Sequence, residues 1–474
     1  MPRHQAIKHR PLQTLAATGS AFCVLALAAA GCTTEPLDGQ VRANGPRPSV
    51  LLVTIDTLRA DHVHAYGYAR ATSPHIDALA ADGVLFETAY APSSATGPSH
   101  ATLFTARQPL GHGVVRNGIA LDPTMPTIAS LLSDAGYQSA GFVSSYPVSG
   151  KFGFAHGFAH YDEDFGAAGG TMTSKRWQRA RGDERTLDRR GAATVDAAAA
   201  WLAQQPDGKP LFVWVHLFDP HAPYAPPAPY DATFTGADAP ARQHEIDLYD
   251  GEIRYADAQL GRLLEAFERA AGEAGSLVVV TSDHGEGLWD HGYAGHNRDV
   301  FEEEVRVPLV VRWRGQVAPG RRVAEPVHLV DVLPTILAAC GVAAPPSGVA
   351  GLDLLAALSA APTLSADRLI YLTRPYFSEG GRRRRLSQVG WGFGIRRGSW
   401  KLIEAAEEGR LDLYDLTRDP GEKNDLVADD TARAAELAGL IETWRDTETA
   451  QVGERPLEVP RDVRRQLRAL GYVQ

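Results

Sequence analysis

Residues 49–55, SVLLVTI, form an unbroken apolar run that ends on an acid, Asp56. A strand with one face in water alternates apolar and polar residues, so this stretch belongs to a strand covered on both faces. Three further runs repeat the pattern: PLFVWVHLF (210–218), LVVVTS (277–282) and VPLVVRW (307–313). VLFETAY (84–90) and QSAGFVS (138–144) read as additional strands. Helical spacing marks SPHIDALAADG (73–83), PTIASLLSDAG (126–136), TVDAAAAWLAQQ (194–205) and LYDGEIRYADAQLGRLLEAFERA (248–270). Strands alternating with helices of this length predict an α/β fold with a mostly parallel central sheet and helices on both faces. The texture then changes. RGSWKLIE and LDLYDL look like short antiparallel strands, and TARAAELAGLIETWRD like a last helix. We therefore expect a catalytic domain over 48–345 and a smaller C-terminal α+β subdomain with a tail over 346–474.

A chain of 474 residues is long enough for this division. Its 47 basic and 57 acidic side chains leave a formal net charge of −10, which argues against a role as a nucleic-acid scaffold. Near the start, Arg3, Lys8 and Arg10 precede LAATGSAFCVLALAAAG, a stretch too short and too small-sided for a spanning helix. The run closes on LAAAGC, which resembles a bacterial lipoprotein signal with Cys32 as the lipidated residue, although Ala29 stands where Leu is usual. A plain secretion signal or a membrane anchor is the alternative. The expectation is a signal peptide over 1–31, a polar tether over 32–47, and an exported protein anchored by lipid in the bacterial cell envelope, facing the periplasm or the surface. With Cys23 in the removed segment and Cys32 lipidated, only Cys340 is left, so no internal disulfide can form. AACGV around Cys340 reads as a buried helix end. The dense basic run GGRRRRL (380–386) reads as solvated loop.

Ligands of open α/β sheets sit beyond the carboxyl ends of the strands. The polar residues found there are Asp56 in DTLRADH, Asp219 and His221 in DPHAPY, and Asp283, His284, His291 and His296 in DHGEGLWDHGYAGH. Any one of them can cap a helix or satisfy a loop. Carboxylate and imidazole delivered by separate strands to one rim instead have the chemistry of a divalent-metal site. For His221 and His296, substrate contact and a structural role are both open. Thr96, in TGPSHATLFTA, begins a helix whose first turn accommodates Pro98. It can be a capping residue. It can also be a nucleophile, because a helix start offers free N–H groups and a positive dipole end, and a nearby cation would lower the hydroxyl pKa.

Block by block, the chain resembles the sulfatase branch of the alkaline phosphatase superfamily. The resemblance is carried by VLLVTIDTLRADHVHAYGY, SPHIDALAADGVLFETAYAPSS, PSHATLFTARQPLGHGV, FDPHAPYAPP, VVTSDHGEGLWDHG, EEEVRVPLVVRW, HLVDVLPTIL, LYDLTRDPGEKNDL and the terminal LRALGYV, in family order. It implies an α/β sandwich with a smaller C-terminal subdomain. Six positions depart from the sulfatase pattern. The Cys-x-Pro-Ser-Arg motif reads Thr96-Gly97-Pro98-Ser99-His100, so no formylglycine is expected, and the arginine is a histidine. The lysine and histidine that grip sulfate fall at Ser144 and Tyr146. The second aspartate of the first-strand pair is Thr57, and a later lysine is His296.

The altered set is similar to phosphorus-handling relatives with a threonine nucleophile. By that resemblance, Asp56, Thr96, Asp283 and His284 would hold one divalent ion (manganese, zinc or calcium), and Asp219, His221 and His296 a second. Thr96 would attack the central phosphorus or sulfur. His221 or His296 would act as general acid, His100 and Arg59 would orient nucleophile or anion, and Asn117 would contact substrate. The expected activity is metal-dependent hydrolysis, or transfer, of ester-bound oxyanions, with phosphate diesters, phosphate monoesters or phosphonates ahead of sulfate. The substrate would be a small molecule or polymer bearing such an ester. Two alternatives stand beside it: a sulfuric ester hydrolase using unmodified threonine, and an inactive surface lipoprotein that binds anionic polymers.

Overall fold

The computed structural model describes residues 47–165, 187–205, 208–236, 239–272, 275–345, 347–359, 364–377 and 388–452, with five scattered positions nearer the C-terminus. The signal segment, Cys32, the basic run over 380–386 and all of the terminal LRALGYV but Leu467 lie outside the described residues. The strands, in chain order, are β1 (Ser49–Ile55), β2 (Val84–Tyr90), β3 (Gln138–Val143), β4 (His160–Asp162), β5 (Leu211–Leu217) and β6 (Ser276–Thr281). They are followed by β7 (Gly287–Leu288), β8 (Ala294–Gly295), β9 (Arg306–Trp313), β10 (Arg321–Val323) and β11 (Val327–His328). The C-terminal part contributes β12 (Ile370–Phe377), β13 (Gly390–Arg397), β14 (Trp400–Ala405) and β15 (Arg410–Asp415).

The main sheet runs in the order β10-β2-β9-β6-β1-β5-β3-β4, with β11 extending the pairing of β2. β1 lies parallel between β5 and β6. β9 is antiparallel to both of its neighbours, β2 and β6. The chain between β6 and β9 returns through loops, a two-stranded ribbon and a one-turn helix rather than a crossover, so an antiparallel partner is the natural outcome. Every residue of β1 is buried, and its side chains alternate between two cores. Val50 and Leu52 face the Thr96–Thr105 and Val332–Ala339 helices, while Leu51, Val53 and Ile55 face the Pro74–Ala81, Gly191–Leu202 and Ala241–Ala271 helices. This is the two-sided burial that the apolar runs demanded.

The Ala241–Ala271 helix begins seven residues ahead of the apolar pattern that predicts it. Its first two turns, ARQHEID, show no apolar stripe. They are held by charge instead, since buried Asp247 and Asp250 both pair with Arg70. The second sheet, β12-β13-β14-β15, is antiparallel throughout. Backbone hydrogen bonding ties it to the main body: the Thr373 amide of β12 donates to the Pro92 carbonyl at 2.8 Å. His328 Nε2–H donates to the Tyr371 carbonyl at 3.2 Å. The Thr431–Val452 helix covers the second sheet, with Trp444 stacked on Tyr371. Cys340 is buried as expected, and burial pushes its thiol up to about 12. Among the described residues, no helix is long and apolar enough to cross a membrane.

Candidate active site

Because Thr54 of β1 pairs with Thr281 of β6, the residues just past the two strand ends are neighbours. Asp56 and Asp283 therefore meet at the carboxyl edge of the sheet, both fully buried. Between β1 and the next turn, Thr57 adopts φ +59°, a conformation costing roughly 1–3 kcal/mol for a β-branched residue. With that kink its amide donates to Asp283 Oδ1 at 3.3 Å. The His284 amide donates to the same oxygen at 3.0 Å, while Asp283 Oδ2 has no hydrogen-bond partner. His284 Nδ1–H donates to the Gly285 carbonyl at 2.8 Å, which leaves the lone pair on Nε2. That nitrogen sits 3.7 Å from Asp56 Oδ1, 3.5 Å from Asp283 Oδ2 and 3.2 Å from Thr96 Oγ1.

Thr96 is the first residue of its helix and does not cap it. Ala95 occupies the cap position, and the Thr96 hydroxyl points at His284 instead. The helix start is held by Asn117, whose Oδ1 accepts the Gly97 amide at 2.6 Å. Residue 97 has to be glycine for this, since a Cβ there would lie 2.9 Å from that same oxygen. One turn on, His100 Nδ1–H donates to the Thr96 carbonyl at 2.9 Å, and its Nε2 accepts from the Thr54 hydroxyl at 3.0 Å. Thr54 in turn accepts from the Trp214 indole at 3.0 Å. Both His100 nitrogens are thus engaged within the protein, and burial pushes its pKa down to about 3. The histidine expected to be catalytic positions the backbone of Thr96.

His221 and His296 stand at the mouth of this cluster. The His296 ring lies 4.5 Å from that of His284 and 4.9 Å from that of His221. The β7–β8 ribbon pairs Gly287 with Gly295, so the flanking residues Glu286 and His296 face each other. Glu286 Oε1 is 3.0 Å from His296 Nδ1. Burial raises the carboxyl and lowers the imidazole, which places the shared proton on Glu286. In β5, His216 is completely buried on the Trp214 face, with burial pushing its pKa down to about 4.

Two residues have partners within the protein. The Arg59 guanidinium is buried and fully engaged by Asp61, Asp290 and the Glu286 carbonyl. Asp219 is taken up by Arg190 and by the Gly191 amide, so it is not part of a second cation site with His221 and His296. Among the described residues, two His/Asp trios have donor atoms all within 4.8 Å of one another. One is Asp56, Asp283 and His284, and the other is His100, His216 and Asp283.

A cation fits the first trio. Asp283 Oδ2 is an orphaned acceptor, and its carboxyl is raised by burial and by the neighbouring Asp56. The His284 imidazole is raised because Asp283 and Asp56 outweigh its burial. Two carboxylates packed this closely without a counter-charge would be costly. A divalent ion removes that cost with hard oxygen and imidazole donors, the set such ions prefer.

A family model described as "Sulfatase" matches residues 48–342, and one for the C-terminal part of N-sulphoglucosamine sulphohydrolase matches 289–444. The chain belongs to the sulfatase family. Within it, the chain is similar to the N-acetylglucosamine-6-O-sulfatase of Bacteroides thetaiotaomicron, with 22% identity over 84% of this chain and 86% of that one. It is also similar to the sulfatase YidJ of Escherichia coli, with 25% identity over 63% and 69%. Among solved structures, the phosphonate monoester hydrolase of Agrobacterium radiobacter superposes with a TM-score of 0.68 at 24% identity, covering 85% of this chain and 96% of that one. The protein is accordingly a hydrolase of a metal-dependent family, and it carries candidate metal-binding groups. Its relatives act on sulfuric or phosphoric esters. At the two positions where family members grip sulfate, Ser144 is hydrogen-bonded to Thr194 at 2.7 Å and Tyr146 is packed against Phe152. Neither brings a positive charge.

Sequence reasoning missed Glu286 and His216. Glu286 was visible within DHGEGL, but only the ribbon register shows what it faces. The signal for His216 was an imidazole inside an otherwise apolar strand.

Proposed function

We propose that this sulfatase-family hydrolase cleaves phosphate or phosphonate esters with Thr96 as nucleophile. One observation carries the reading: the Thr96 hydroxyl is buried 3.2 Å from His284 Nε2, at the edge of the Asp56–Asp283 pair. The uncharged residues Ser144 and Tyr146 at the sulfate-gripping positions weigh toward phosphorus.

Asp56, Asp283 and His284 would hold the cation beside Thr96. When bound, it lowers the pKa of the Thr96 hydroxyl and draws charge from the ester oxygens. Thr96 gives up its proton to solvent, and its oxygen bonds to phosphorus as the bond to the leaving oxygen breaks. Asn117, whose buried Nδ2 has no hydrogen-bond partner, holds the developing charge. His296, with its proton on Nε2, passes it to the leaving oxygen while Nδ1 takes the proton of Glu286. Water then attacks phosphorus and loses a proton to His296 Nε2 while Nδ1 returns its own to Glu286; the Thr96–phosphorus bond breaks, and the Thr96 oxygen takes a proton back from solvent.

The test is a panel of chromogenic phosphate monoesters, phosphate diesters, phosphonates and sulfate esters with wild type and Thr96→Ala. A phosphorylated Thr96 peptide and silence of the variant on the favoured substrate are expected. Sulfate turned over fastest would overturn the preference for phosphorus. Turnover retained by Thr96→Ala would remove Thr96 from the chemistry, and metal-loaded protein silent on every ester would favour the inactive binder.

A further inference from the structure

The structure assigns His216 as a ligand of the divalent cation held by Asp56 and Asp283, which makes the donor set two carboxylates and two imidazoles. This rests on the proposed cation site at the Thr96 nucleophile and extends it by a residue outside the resembling motif blocks. His216 Nε2 lies 3.5 Å from Asp56 Oδ2, and His216 also falls in the trio with Asp283 whose donors lie within 4.8 Å. Neither of its ring nitrogens has a hydrogen-bond partner, although the side chain is fully buried. A buried imidazole left so calls for a partner. His100, the other histidine of that trio, has both nitrogens engaged by Thr96 and Thr54 and is not available.

Spacing agrees with a shared ion. Ligand atoms around a tetrahedral ion with bonds near 2.1 Å stand about 3.4 Å apart. His216 Nε2 lies 3.5 Å from Asp56 Oδ2, while His284 Nε2 lies 3.7 Å from Asp56 Oδ1 and 3.5 Å from Asp283 Oδ2, so Asp56 turns one oxygen to each imidazole. Strand geometry explains why the imidazole arrives there. His216 pairs with Thr54 in register, on the face it shares with Trp214, so its ring reaches toward Asp56 two residues further along β1. Two imidazoles favour a first-row ion such as zinc over calcium, which takes oxygen donors.

The experiment needs no turnover. Apo protein is loaded with Zn²⁺, its zinc counted by elemental analysis, and its ligands counted by X-ray absorption at the zinc edge. We expect one zinc per chain with two imidazoles in wild type and one in His216→Gln, with at least a tenfold weaker zinc affinity in that variant. Calcium in large excess is expected not to displace the zinc. A single imidazole in wild type, two zinc ions per chain, or unchanged zinc affinity in a folded His216→Gln would overturn the assignment of His216 and leave Asp56, Asp283 and His284 standing. Protein that binds no zinc at all would overturn the cation site itself. The wild-type measurement decides the matter even if the variant fails to fold.

Discussion

Asn117 accepts the Gly97 amide and thereby pins the first turn of the helix that starts at Thr96. Its Nδ2 is buried with no hydrogen-bond partner, beside the residue proposed to attack. One side chain thus serves as cap and as donor. Asn117→Ala is expected to lose about 0.5–2 kcal/mol of stability, the usual value of a helix cap. It is also expected to lose about 10²–10³ in kcat, the usual value of an oxyanion donor. Thermal melting and steady-state kinetics separate the two losses.

Glu286→Gln removes the proton that His296 needs and keeps the shape. We expect turnover of esters with good leaving groups to change little, because they depart without an acid. Alkyl esters are expected to slow by about 10²-fold or more. Rates plotted against leaving-group pKa should steepen in the variant, and an unchanged slope would count against the relay.

Thr54→Val keeps the volume of the residue and deletes the hydroxyl joining His100 to Trp214. The buried imidazole and indole each lose a partner, at about 1–3 kcal/mol. Because His100 holds the Thr96 backbone, kcat is expected to drop while KM stays near wild type.

His328 provides a pH test away from the site. Its Nδ1 accepts the Val330 amide and its Nε2–H donates to Tyr371, while burial holds its pKa near 3. The unfolded value is about 6.5, so stability is full above that pH and is lost as pH falls toward the folded value. His328→Gln abolishes this dependence. The destabilisation it causes near neutral pH is expected to shrink by about 2 kcal/mol at about pH 5, as read from urea melts.

Cell fractionation tests the start of the chain. We expect the full-length protein in the membrane fraction with a lipid on Cys32, and Cys32→Ser in the soluble envelope fraction. An unlipidated wild type would overturn the anchor.

The sheet was legible because residues such as those of β1 are apolar on both faces, a pattern that few structures allow. Asp56, Asp283 and His284 were legible because each directly follows such a strand. β13 was harder to see, since Gly390, Gly392 and Gly394 interrupt its aromatic residues and look like turns; at Gly392 a Cβ would collide with Arg374. The ion pairs of Arg59 with Asp290 and of Asp219 with Arg190 were not legible because the partners are remote in sequence and a charge gives no sign of being already neutralised. Glu286 and His100 depend on ribbon register and on a turn of helix, and both need three dimensions to be read.

The amide of Thr373 reaches across to Pro92, four residues ahead of Thr96, the proposed nucleophile. The antiparallel sheet is therefore a buttress for the reactive segment, not a detachable accessory. A chain cut ahead of residue 370 would keep every proposed ligand yet lose the brace that fixes the approach to Thr96. Attempts to shrink this enzyme, or to swap its C-terminal part for a relative's, have to carry that strand along.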